Sequence, residues 1–205
     1  MQRNRCTTLL GFPLAMVTAP LSVPCQSYGS MDLAPRELVN TMPSILFVCT
    51  GNIFRSMTAE YALKARLAPR SPIRVSSAGT LAMPQEMHPD IRAYLVQRGI
   101  DPLQHHQRRV SAELLRATDL AIAMSTDHQS FLFDAFQYRA PLFSDVCHGR
   151  SEPLLDVWEA IPTWETDLDA ARNYVFHVME YIWASVPDLL QNLGTYLKTD
   201  AVSVS

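Results

Sequence analysis

The stretch ILFVCTGNIFRSMTAEYALKA, residues 45–65, limits the possible folds more than any other part of the chain. Five apolar, β-prone residues run into a turn from Cys49 to Arg55, and a helical pattern opens at Ser56. A strand that passes into a helix through so short a turn is the first half of a βαβ unit. Such units build parallel sheets whose faces are covered by their own crossover helices.

The remainder continues the alternation. Further strands are predicted at 73–79, 119–125 and 140–144, beside 45–49. Helices are predicted at 56–68, capped by Ser56 with Glu60 near the first turn, at 89–99, entered by Pro89 and closed by Gly99, at 111–117 from Ser111, and at 126–136. A last long helix spans 167–186, where Pro187 resets it into a shorter piece over 188–197. The expected fold is α/β: a three-layer sandwich with a central four-stranded parallel sheet flanked by helices and an anion-holding loop after the first strand.

Residues 1–41 read differently. Arg3 and Arg5 precede an uncharged stretch broken by Pro13, Pro20 and Pro24, which makes a poor membrane span. It has the outline of a weak signal peptide, or of a disordered leader or upstream start, with Met31 or Met42 opening the globular part. One domain is expected over 42–198, with a tail at 199–205.

Composition narrows the partners. The 205 residues are 48% hydrophobic and carry a formal charge of −3, with basic residues scattered, so the footprint of a nucleic-acid binder is missing. The four cysteines form neither a C-x-x-C motif nor a disulfide framework, which favours a reducing, cytoplasmic setting. His105 and His106 adjoin and His88 lies upstream, but neighbours on one element point apart, so no metal or other cofactor is expected.

The turn itself is C-x-G-N-x-x-R-S. It lacks the Gly-Lys-Ser/Thr of a nucleotide loop and the Gly-x-Gly-x-x-Gly of a dinucleotide turn. Amides at a helix N-terminus favour a thiolate, so Cys49 is a candidate nucleophile. Arg55 offers a planar fork for two oxygens of a tetrahedral oxyanion, while Thr50, Gly51, Asn52, Ile53 and Phe54 supply loop amides. Ser56 can donate to the sulfur, and Gly51 and Asn52 tolerate the left-handed backbone that an inward-curling loop needs.

This turn resembles the signature of the low-molecular-weight protein tyrosine phosphatase family, and the similarity covers most of 44–196. VSSAGT (75–80) resembles the family's second strand, implying that Ser77 helps hold the loop. The run 99–111 is similar to its G-I-x-x-x-x-H-x-A-R-x-V stretch, with His105 and Arg108 in matching places, His105 as a structural hydrogen-bonding residue. The segment 119–128 looks like its D-x-I-x-x-M-D run. The resemblance implies a metal-independent phosphatase acting on phosphotyrosine proteins through a phosphocysteine intermediate.

Such a reaction needs a general acid, an aspartate in D-V-x-D-P followed by an aromatic residue in that family. Here 153–165 reads PLLDVWEAIPTWE, so the acid is Glu159 in the family's frame or Asp156 if the loop shifts. Asp156 is preferred because it is shorter and places Trp158 as the aromatic wall of the pocket. Phe54 stands where a small residue or cysteine is common and is expected to narrow or reshape the pocket mouth, and Met57 replaces a proline. Two other functions compete. One is a phosphate-binding module with impaired turnover; the other is an arsenate reductase, which needs two further cysteines after the third strand, where none occurs.

Overall fold

The computed structural model describes residues 42–197; the expectations for 1–41 and 199–205 fall outside them. Three parallel strands, β1 (Ser44–Cys49), β2 (Arg74–Gly79) and β3 (Leu120–Ala123), lie in the order β2-β1-β3. The chain therefore leaves the central strand first to one side and then to the other, and the crevice at its carboxyl end is where such sheets bind ligands.

β1 is buried along its whole length, and its alternation sorts side chains to the two faces. Ile45, Phe47 and Cys49 join a core with α1 (Arg55–Arg66) and α7 (Leu168–Leu197), through Met57, Leu63, Ile182 and Leu189. Leu46 and Val48 face a second core with Leu115 of α3 (Ala112–Arg116) and Leu132 of α4 (Thr126–Phe136). That gives the expected three layers. At the amino end of β1, the Ser44 hydroxyl donates to Asp119 at 2.7 Å, which fixes its register beside β3.

The expected fourth strand is reduced to a single bridge. Leu142 bridges to Ala123, and the Ala123 N–H donates to the Pro141 carbonyl at 2.9 Å. Pro141 has no N–H to return to a ladder, and the chain turns at once into helix α5 (Phe143–His148). The sheet among the described residues therefore has three strands, not four.

Two helix expectations are also corrected. α1 opens at Arg55, with Phe54 as N-cap and no side-chain cap. Ser56 does not cap because its hydroxyl is turned to Cys49. Pro187 does not divide the last helix, which runs on to Leu197. The carbonyl four residues before the proline, Trp183, loses its N–H donor and instead accepts from Arg66 Nη2 at 3.1 Å.

Elsewhere the elements follow the sequence. α2 (Pro89–Val96) is shorter than expected, with Gly99 at φ +76° in the turn after it, and α4 has its expected bounds. α6 (Val157–Ala160) is a single turn that the pattern does not predict. No helix among the described residues is long and apolar enough to cross a membrane.

The Arg66 contact is testable by a double-mutant cycle in urea. Arg66→Ala should cost about 0.5–1.5 kcal/mol in the native background. Pro187→Ala restores an N–H for Trp183, so the same change there should cost less than about half as much.

Candidate active site

Cys49 closes β1, pairs across the sheet with Gly79, and is 1% exposed. Its Sγ accepts the Asn52 N–H at 3.2 Å and lies 3.0 Å from the Ser56 hydroxyl. The Asn52 N–H aimed at the sulfur stabilises negative charge on it, and the Ser56 hydroxyl, which also reaches the Ala78 carbonyl at 3.3 Å, stands beside it. Gly79 must be glycine: a Cβ there would sit 2.4 Å from the Thr50 carbonyl and 3.0 Å from the Asn52 nitrogen.

Asn52 holds the turn. Its φ of 57° is left-handed, a conformation Asn tolerates. Its side-chain amide donates to Ser77 Oγ at 2.7 Å and Ser56 Oγ at 3.1 Å, and its side-chain oxygen accepts the Arg108 N–H at 3.2 Å. His105 Nε2 donates to its main-chain carbonyl at 2.9 Å. Ser77 in turn donates to Glu60 at 2.5 Å, and Arg108 Nε donates to the Ser77 carbonyl at 2.7 Å. Ser77 and His105 thus both bond to Asn52.

Arg55 is 1% exposed and faces three acceptors. Nη1 donates to the Leu154 carbonyl at 2.8 Å, and Nη2 to Thr50 Oγ1 at 3.1 Å and to the Asp156 carboxylate. Its Nε has no acceptor. A buried donor left unpaired costs about 1–3 kcal/mol, which an oxyanion in the loop would recover. The uncapped N-terminus of α1 adds free N–H groups at the same place.

The two candidate acids separate clearly. Asp156, 5% exposed, meets Arg55 from 101 positions along the chain. Burial pushes its carboxyl above the usual range, outweighing the opposing pull of Arg55. Glu159 is exposed and accepts the Asp156 N–H at 2.6 Å, so it closes a capping box on α6 and does not reach Arg55. Tyr174 of α7 donates to the Leu155 carbonyl at 3.0 Å and tethers this segment.

The remaining loop expectations divide. Thr50, Gly51 and Ile53 are half-buried, and Trp158 is exposed, two residues beyond Asp156. Phe54 is 5% exposed within the core shared by α1, and the Arg55 guanidinium stands 5.3 Å from the centre of its ring. A cavity of about 470 Å³ lies elsewhere, against Leu154, Leu155, Tyr174 and His177, and includes neither Cys49 nor Arg55. The loop itself is occupied on one side by Asp156, which is seated on Arg55.

Sequence reasoning missed two contributors. Glu60 is an ordinary helix glutamate by pattern, yet it is 8% exposed and anchors Ser77. His128, 3% exposed, lies 3.0 Å from Thr50 Oγ1. Its only sequence signal is its place in the first turn of α4.

Comparison with known proteins agrees with this geometry. A family profile described as low molecular weight phosphotyrosine protein phosphatase matches residues 44–194. The low molecular weight protein-tyrosine-phosphatase Ptp of Acinetobacter johnsonii is 36% identical over 117 residues, covering 57% of this chain and 80% of that protein. The protein-arginine-phosphatase of Bacillus subtilis is 35% identical over 104 residues, covering 49% and 68%. The solution structure of a low molecular weight protein tyrosine phosphatase from Bacillus subtilis superposes with a TM-score of 0.54 at 27% identity, covering 77% of this chain and 99% of that one.

Asn52→Ala should unravel the loop from within. It strands the Arg108 N–H and frees two buried hydroxyls, so a loss of about 2–4 kcal/mol in chemical denaturation is expected.

Proposed function

Because the chain belongs to the low molecular weight phosphotyrosine protein phosphatase family, we propose that it hydrolyses phosphotyrosine in proteins, with Cys49 as nucleophile, Arg55 as oxyanion clamp and Asp156 as general acid. The chain is a cysteine-based phosphatase, as its relatives are. The observation that carries the residue assignment is the meeting of Asp156 with Arg55 beside a sulfur that receives the Asn52 N–H and lies 3.0 Å from the Ser56 hydroxyl.

The reaction follows from charge. A phosphate dianion entering the loop competes with the Asp156 carboxylate for the guanidinium of Arg55. Displaced from its counter-charge and set beside a new negative group, Asp156 is driven further toward its protonated form. That form is the acid the first step needs. The Cys49 sulfur attacks phosphorus, the P–O bond to the phenol breaks, and Asp156 delivers its proton to the departing oxygen. In the second step the Asp156 carboxylate takes a proton from water, which attacks the phosphocysteine; the S–P bond breaks, returning thiolate and inorganic phosphate. The loop amides and Arg55 hold the equatorial oxygens throughout.

A phenolic ester is favoured over other phosphorylated residues by two features of the mouth. Trp158, 49% exposed, offers an aromatic wall after the acid. Ile53 leans back over the loop, its side chain 3.3 Å from where a Cβ on Gly51 would stand, and so occupies space that a small residue would leave open. The arsenate reductase reading gains no support, since Cys147 is buried and burial, with Asp188 nearby, pushes its thiol up to about 12. The placement of Asp156 likewise favours turnover over mere phosphate binding.

Hydrolysis of p-nitrophenyl phosphate tests the assignment. Cys49→Ser should abolish it, Asp156→Asn should lower kcat/KM about 10²–10³-fold, and Glu159→Gln should change it less than about 5-fold. Equal losses in both carboxylate variants would refute the choice of Asp156. Phosphotyrosine and phosphoarginine peptides assayed side by side decide the substrate class, with preference for phosphoarginine counting against the present reading.

The pH profile has a definite sign. Burial raises the Asp156 pKa, so the protonated acid persists above the ordinary carboxylate range and is lost as pH rises through the raised value. The alkaline limb of kcat/KM for an aryl phosphate should therefore lie above that range and vanish in Asp156→Asn.

A further inference from the structure

The acceptors that hold the Arg55 fork come from two places. Nη1 donates to the Leu154 carbonyl at 2.8 Å, and Nη2 donates to Asp156 and, at 3.1 Å, to Thr50 Oγ1. Leu154 and Asp156 are two positions apart on one segment, so two of these three bonds depend on where that segment stands. Thr50 is the acceptor that belongs to the loop itself. Its main chain is already pinned, because its carbonyl accepts the Leu81 N–H at 2.9 Å. What remains to be set is the rotamer that turns its oxygen toward Arg55.

A histidine of α4 meets that oxygen. The main-chain N–H of Ser125 donates to His128 Nδ1 at 3.0 Å, and an N–H can only donate, so Nδ1 carries a lone pair. The ring proton is then on Nε2, which faces Thr50 Oγ1 at 3.0 Å and donates to it. His128 is 3% exposed, and burial, with Arg55 nearby, pushes its pKa down to about 3, so the ring stays neutral in this one tautomer. Both lone pairs of the Thr50 hydroxyl are thus engaged, one by His128 and one by Arg55.

We propose that His128 is a positioning residue for the oxyanion clamp: its Nε2–H holds the Thr50 side chain in the rotamer that gives Arg55 Nη2 an acceptor independent of the acid segment. The inference rests on the reading of Arg55 as that clamp. When an oxyanion displaces Asp156 from the guanidinium, the Thr50 oxygen still fixes the plane of the fork. A fork held in plane presents two parallel donors, which a freely turning one does not.

Oxyanion affinity tests this directly, with inorganic phosphate as the probe in titration calorimetry. Arg55→Lys keeps the charge without the fork and should weaken binding about 10-fold or more. Thr50→Val and His128→Asn should each weaken it about 5–10-fold. The asparagine keeps an acceptor for the Ser125 N–H but is too short to reach Thr50. Both variants should lower kcat/KM for phenyl phosphate and for p-nitrophenyl phosphate by the same factor, because the clamp acts on either ester. Thr50→Ser and His128→Gln, which return the hydroxyl and the N–H donor, should recover affinity to within about 3-fold of the wild type. In the Arg55→Lys background, Thr50→Val should add less than about 2-fold, since the fork it positions is gone. Full additivity there, no recovery in the serine and glutamine variants, or unchanged affinity in Thr50→Val would overturn the proposal. If His128→Asn does not fold, the half-buried, nearly isosteric Thr50→Val decides the matter with Thr50→Ser. Affinity that falls in Arg55→Lys alone leaves the clamp standing and removes the role of His128. Affinity unchanged in Arg55→Lys removes the clamp, and the proposal with it.

Discussion

The buried Asn52 amide is the contact on which the rest of the site depends. Both of its N–H groups and its oxygen are engaged by Ser77, Ser56 and Arg108, and its main-chain carbonyl by His105. Those partners come from β2, α1 and the segment that leads to α3. One side chain in a left-handed conformation therefore locks three parts of the chain around the sulfur. A loop of converging amides repels itself electrostatically, and only a dense set of external bonds keeps such donors preorganised for an oxyanion.

The same economy explains what α1 leaves undone. A serine at a helix start usually caps it, but Ser56 is turned to Cys49 and no side chain replaces it. The uncapped helix start and the unpartnered Arg55 Nε are locally unfavourable, and under the proposed function an oxyanion in the loop relieves both. Asp156 meanwhile sits on Arg55 as an internal anion. In the proposed reaction, substrate phosphate and Asp156 compete for the same guanidinium, which couples them.

Much of this was legible in the sequence, and the reasons are local. Cys49, Gly51, Asn52, Arg55 and Ser56 lie within eight residues, and their spacing on a strand-turn-helix dictates their convergence. The alternation of Ile45, Phe47 and Cys49 against Leu46 and Val48 foretold two covered faces. The fourth strand failed because Pro141 cannot complete a ladder. The break at Pro187 failed because Arg66, 117 residues from Trp183, supplies the missing donor. The burial of Phe54 was not legible for a similar reason: a loop residue is read as exposed until the core beneath it is known.

The sequence by itself determined the chemistry of the loop and the parallel α/β frame around it, since both follow from residue types at short, fixed spacings and from hydrophobic periodicity. Only the tertiary structure decided which carboxylate meets Arg55, that Glu60 braces Ser77 from α1, and that His128 reaches Thr50 from 78 positions away. Those choices depend on which side chain of a distant segment fits a buried, charged space. Asp156 fits beside Arg55 because Glu159 is held on the Asp156 N–H as the cap of α6, a competition that spacing along the chain cannot express.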